Sequence, residues 1–149
     1  LAGGFTMGEA VHETAAATWQ RMLDLNVNTM LASAAAVVPE MRRARRGYIV
    51  NVGAIAGLRG TGRMGAYIAS KSALMRLTES MSAELREEGI NVNAVLPSII
   101  DTPANRQSMP DADPTRWVTP AALAAVIGFL ASDDARAAHG QLIPVTGLA

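Results

Sequence analysis

Two short apolar runs, residues 47–53 (Gly-Tyr-Ile-Val-Asn-Val-Gly) and 90–97 (Ile-Asn-Val-Asn-Ala-Val-Leu-Pro), flank one long segment of helical periodicity. Each run reads as a short buried strand. Between them Tyr67, Lys71, Leu74, Thr78, Met81 and Leu85 recur at steps of three and four, which defines one face of a helix beginning near Met64 or Gly65. Gly89 supplies its stop. Strand, helix, strand with short links is a crossover unit, so the two strands are predicted to be parallel. That unit commits the chain to an α/β architecture.

The flanking segments extend the same pattern. Thr14 is placed to cap a first helix containing Thr18, Trp19, Met22 and Leu23. Asp24 and Asn26 interrupt its apolar pattern, and a second, alanine-rich helical pattern runs from about Val27 to Arg45, with Pro39 expected to kink or end it. Arg42, Arg43, Arg45 and Arg46 gather at its end, where cations complement the helix dipole. Residues 101–117 are polar and carry prolines at 103, 110 and 114, a long loop with one helical turn near 104–108. Thr119-Pro120 is an N-cap followed by proline at the first helical position, opening a helix to about Ser132. Residues 141–145 form the last strand, placed at a sheet edge by Pro144.

Composition excludes several function classes. Thirteen basic and thirteen acidic residues balance, so no global field draws nucleic acid or an anionic membrane. Cysteine is absent, and His12 and His139 lie far apart outside any ligand-spaced cluster, so no metal site is expected. No apolar run reaches the roughly 20 residues of a membrane span, and the expectation is a cytoplasmic protein.

The chemistry centres on Tyr67 and Lys71. Four positions apart in a helix, they share one face. A tyrosine of ordinary pKa, about 10, is a poor acid or base at neutral pH. A neighbouring ammonium favours the phenolate, so Lys71 is expected to lower that pKa and make the pair a proton relay.

The combination of residues 47–57, Tyr67 to Lys71, 89–97, Asp101-Thr102-Pro103, 129–133 and 140–147 resembles the short-chain dehydrogenase/reductase family. The resemblance implies a Rossmann-type parallel sheet with helices on both faces, of which this chain holds the last three strands. It also implies a nicotinamide-dependent oxidoreductase using NAD or NADP on a small-molecule substrate, assembled as a homodimer or homotetramer. By the same resemblance Tyr67 is the general acid/base, and Lys71 tunes it and holds the nicotinamide ribose. Asn26 anchors a water chain to the lysine. Pro97, Ser98, Ile100 and Thr102 correspond to the segment that meets the nicotinamide carboxamide, with Ser98 in place of the usual glycine.

Two departures from the family pattern stand out. The serine thirteen residues before the tyrosine is replaced by Ala54, which removes a hydroxyl from the substrate position. Ala2-Gly3 looks like the end of the family's Asn-Asn-Ala-Gly motif and belongs to the cofactor-binding set, yet no G-x-x-x-G-x-G occurs in the chain. Residues 1–149 are therefore expected to be a single partial domain lacking the dinucleotide phosphate-binding motif. Residues 101–113 with Trp117 resemble the dihydropteridine reductases, a divergent branch without the serine. A quinonoid pterin is thus an alternative substrate, and a non-catalytic relative an alternative class.

Overall fold

The computed structural model describes residues 3–148. Helix α1 (Ala16–Leu23) runs through a π-helical segment (Asp24–Asn28) into α2 (Thr29–Ala44). Strand β1 (Gly47–Val52), α3 (Gly65–Leu85) and β2 (Ile90–Pro97) follow, then the short α4 (Pro103–Ser108), α5 (Pro120–Leu130) and β3 (Leu142–Val145). The sheet order is β1-β2-β3, and both pairings are parallel. Register runs from Gly47 opposite Ile90 to Val52 opposite Val95, and from Ala94 opposite Leu142 to Pro97 opposite Val145.

Every residue of β2 is buried. Ile90, Val92, Ala94 and Leu96 alternate onto the face covered by α2 and α3, packing with Met30, Leu74, Met75 and Leu85. Val95 points the other way, into a cluster with Val118, Leu123 and Leu130 beneath α5. Removing a side chain of this size from water contributes about 1.5–3 kcal/mol, so β2 holds both layers together. Its two asparagines are buried, and both are satisfied. Asn91 Nδ2 lies 3.1, 3.0 and 3.0 Å from the carbonyls of Ala135, Arg136 and Ala138. Asn93 donates to the Ala138 carbonyl at 2.9 Å and accepts from the Gln141 N–H at 2.9 Å. Both tie the turn after α5 to the sheet.

Two local expectations need revision. Thr14 does not cap α1; its hydroxyl donates to the Ala10 carbonyl at 2.8 Å, and the cap position is Ala15 without a side-chain bond. Pro39 does not end α2, which continues to Ala44. Pro39 lies on the exposed side, where solvent can satisfy the carbonyl that the ring leaves unbonded. The helix instead stops at Arg45, whose φ is 47°. Arg42 and Arg43 lie in the last turn of α2, as expected for cations at the dipole's end, and Arg42 also pairs with Glu88 at 2.7 Å and Arg46 with Asp133 at 3.0 Å.

Pro144 falls as expected on an outer strand. Gln141 and Val145 turn their carbonyls to β2, so the backbone of Pro144 between them faces outward and its missing N–H costs no ladder bond.

Gly89 closes the 3₁₀ turn (Arg86–Glu88) that follows α3, with φ +80°, and a Cβ built there would clash with the Arg45 carbonyl oxygen. Gly89→Ala should therefore lower unfolding free energy by about 2 kcal/mol in urea titration. Gly60→Ala, where a Cβ meets nothing within 4 Å, should stay within about 0.5 kcal/mol of the parent.

Candidate active site

Tyr67 and Lys71 occupy the first turns of α3, whose inner face packs on the sheet. Lys71 is buried, with 8% of its surface exposed. Its ammonium donates to the Val52 carbonyl at 3.0 Å, at the carboxyl end of β1. That carbonyl is available because Gly47 and Gly53 direct their N–H groups to β2, which turns Val52 to the opposite edge. Burial pushes the Lys71 pKa down. Burial also pushes the Tyr67 phenol above its ordinary value of 10.0. The expected lowering by lysine is not what shifts the phenol: its one cause of shift is burial, which favours the neutral form.

Asn26 lies in the π-helical segment and is buried. Its Oδ1 accepts from the Gly4 N–H at 3.0 Å, and its Nδ2 lies 3.0 Å from both the Gly4 carbonyl and Ser70 Oγ. Ser70 in turn donates to the Tyr67 carbonyl at 2.7 Å. One hydroxyl therefore links Asn26 to the backbone of the tyrosine. Sequence reasoning passed over Ser70. It stands three positions after Tyr67 on a buried face of α3 that also carries Lys71, Thr78 and Ser82.

Gly3 completes this corner. A Cβ built on it would lie 2.8 Å from Asn26 Oδ1 and 3.3 Å from Lys71 Nζ. The missing side chain leaves a polar cradle between an amide and an ammonium, suited to hydroxyl groups of a ligand. Ala2 lies outside the described residues. A cleft of about 200 Å³ runs from Gly3, Asn26 and Lys71 along Val50, Asn51 and Val52. Phe5, also missed in the sequence, meets Tyr67 edge to face, with ring centroids 4.9 Å apart and planes at 75°.

The other residues expected at the site take several roles. Ala54 is buried just past β1, at the start of a short 3₁₀ turn. Pro97 ends β2. Ser98 spends both its donors on the last strand's end, N–H to the Val145 carbonyl at 3.1 Å and Oγ to the Thr146 carbonyl at 2.7 Å. The Ile100 carbonyl accepts from Asn105 Nδ2 at 2.7 Å. Thr102 Oγ1 caps α4 by accepting from the Asn105 N–H at 3.2 Å. No cluster of three or more His, Cys, Asp or Glu side chains suited to a metal occurs among the described residues. No helix there is long and apolar enough to cross a membrane.

A family model described as short chain dehydrogenase matches residues 2–113. The 2-(S)-hydroxypropyl-CoM dehydrogenase 3 of Xanthobacter autotrophicus is 35% identical over 93% of this chain and 60% of its own length. A relative from the same organism, named inactive 2-(S)-hydroxypropyl-CoM dehydrogenase 2, is 40% identical over 93% of this chain and 66% of its own. Among solved structures, a 3-oxoacyl-[acyl-carrier protein] reductase of Brucella melitensis with bound NAD superposes with a TM-score of 0.86. It is 32% identical, with 99% of this chain and 59% of that one covered. Carveol dehydrogenase of Mycobacterium avium in complex with NAD also gives 0.86, at 28% identity over 98% and 61% of the two chains. The chain thus spans about 60% of the length of the first curated relative it matches. A parallel sheet between two helical layers, with tyrosine and lysine one turn apart beside it, and a family match over most of the chain lead to one conclusion: this chain belongs to the short-chain dehydrogenase family.

Proposed function

We propose that this chain carries the acid/base centre of an NAD(P)-dependent oxidoreductase acting between a carbonyl and an alcohol, with Tyr67 as the proton carrier. The observation that carries the reading is the convergence of Asn26, Lys71 and Gly3 beside the Tyr67 helix at the carboxyl end of β1, where open α/β sheets bind ligands. The bound NAD of two structural neighbours supports the cofactor. The phosphates of the dinucleotide would be held by groups outside residues 1–149, and the polar cradle at Gly3 fits the hydroxyls of its nicotinamide ribose.

In this reading Lys71 and the backbone of residues 97–102, including Pro97, Ser98, Ile100 and Thr102, hold the nicotinamide end. When bound, the nicotinamide supplies or accepts a hydride. Tyr67 does the complementary work: in reduction its phenol gives a proton to the carbonyl oxygen as the carbon gains a hydrogen, and in oxidation the phenolate takes it back. A phenol kept neutral by burial suits the reducing direction at neutral pH. Asn26 positions the centre through Ser70. Self-association through α2 and α3 is part of the proposal, supported by the exposed apolar side chains of Leu31 and Val37 on α2.

Ala54 favours a second reading. Without a hydroxyl there, a substrate carbonyl lacks one donor, a loss worth roughly a hundredfold or more in rate at comparable sites. A quinonoid pterin needs no such donor. A non-catalytic relative needs none either, and one similar protein is named inactive.

Tyr67→Phe in the full-length protein should lower turnover by at least about a hundredfold while leaving dinucleotide affinity nearly unchanged; equal turnover would remove the assigned role. Ala54→Ser should raise kcat/KM on simple ketones by roughly tenfold. No gain on any ketone in a panel that includes a quinonoid pterin moves the assignment to the second reading. The phenol should titrate above the ordinary tyrosine value. Because the chain has two tyrosines, subtracting the ultraviolet titration of Tyr67→Phe from that of the parent isolates it. A raised value keeps the acid form intact across neutral pH, so oxidation should speed up with pH while reduction stays flat until the phenol ionises.

A further inference from the structure

The loop before α1 is pinned at two points, and Phe5 lies between them. At one end Gly4 exchanges two hydrogen bonds with Asn26. At the other, the Gly8 N–H donates to the Arg63 carbonyl at 2.8 Å, and Arg63 Nη1 donates back to the Gly8 carbonyl at 2.9 Å. Both partners of this second pair have positive φ, 121° for Gly8 and 62° for Arg63. A non-glycine residue in that region is uncommon. Such a conformation persists where its surroundings over-determine it, and it gathers at sites where geometry matters.

The second pin joins the loop before α1 to the loop before α3. Arg63 lies two residues before α3, and Val11 packs so closely on Gly65 that a Cβ there would lie 2.7 Å from its Cγ2. Between the pins, Phe5 leans edge-on against Tyr67 yet stays 57% exposed, and Met7 is 63% exposed. Three residues held at both ends cannot swing far. The exposed apolar surface of Phe5 beside the Tyr67 ring is therefore held in place and gains by being covered.

We propose that Gly8 and Arg63 form a clasp that fixes Phe5 beside Tyr67, making Arg63 a positioning residue and Phe5 a specificity-determining wall for the apolar part of the substrate. The inference rests on Tyr67 being the acid/base. It names a substrate class: alcohols or ketones carrying a compact apolar group, such as an alicyclic ring, next to the reacting carbon.

The test combines amide hydrogen exchange with substrate discrimination in the full-length protein. Arg63→Ala removes the guanidinium arm, and exchange at the Gly8 amide should speed up at least tenfold. Gly8→Ala, with open space for the methyl but an unfavourable φ, should release the loop from the other side. In both variants kcat/KM should fall about tenfold for cyclohexanone, through KM, and change less than twofold for acetone. Phe5→Ala should reproduce that discrimination loss while Gly8 stays protected. Unchanged Gly8 exchange in Arg63→Ala overturns the clasp. Equal effects on both ketones in Phe5→Ala, or no preference for cyclohexanone in the parent, overturn the wall. The exchange measurement needs no turnover, so it separates failure of the clasp from failure of the Tyr67 assignment, which Tyr67→Phe reports.

Discussion

A strand with neighbours on both edges and helices on both faces has no access to solvent, and every polar group it carries must find a partner within the protein. That condition governs β2. Leaving a buried amide unpaired costs about 1–3 kcal/mol, so Asn91 and Asn93 dictate where the chain beyond α5 must run, because its backbone groups answer them. On the neighbouring strand Asn51 meets the same condition by donating to Thr78 Oγ1 at 2.9 Å, which fixes α3 along the sheet. The position of Lys71 under the Val52 carbonyl follows from that anchorage seven residues away on the same helix.

Burial also decides the electrostatics of the site. A lysine one turn from a tyrosine and a low-dielectric setting act on the phenol in opposite directions. Here burial is what moves the phenol, while the Lys71 ammonium is turned onto the Val52 carbonyl. Burial disfavours the charged form of each group, raising the pKa of the Tyr67 phenol and lowering that of the Lys71 ammonium.

The architecture was legible in the sequence because its signals are periodic. Apolar runs at 47–53 and 90–97, helical spacing from Tyr67 to Leu85 and a stop at Gly89 define the crossover, and the parallel pairing follows from handedness and link length. Thr119 before Pro120 marked its cap correctly, with Oγ1 accepting from the Ala122 N–H at 3.1 Å. Thr14 misled because a threonine hydroxyl bonds equally well to a local carbonyl, and the two outcomes share one sequence pattern. Tyr67, Lys71 and Asn26 were visible by type and register. Phe5 was not, because its meaning depends on a contact across 62 residues of chain that no periodicity encodes. Nor was the sign of the Tyr67 shift, which depends on how much of the ring the fold covers.

The π-helical segment at Asp24–Asn28 acts as a phase shifter. An α-helix advances 100° per residue, so a single stretch from Ala16 to Ala44 would lock the faces of its two halves into one fixed relation. One residue inserted as a wider turn rotates the first half against the second. Met22 then faces inward from α1 while Met30 reaches the sheet core from α2, and Asn26 emerges at the seam with its amide aimed at Ser70. A deletion of one residue there would heal the helix and improve its backbone bonding. It would also turn the amide off its three partners, so the local flaw in the helix is what gives the site its aim.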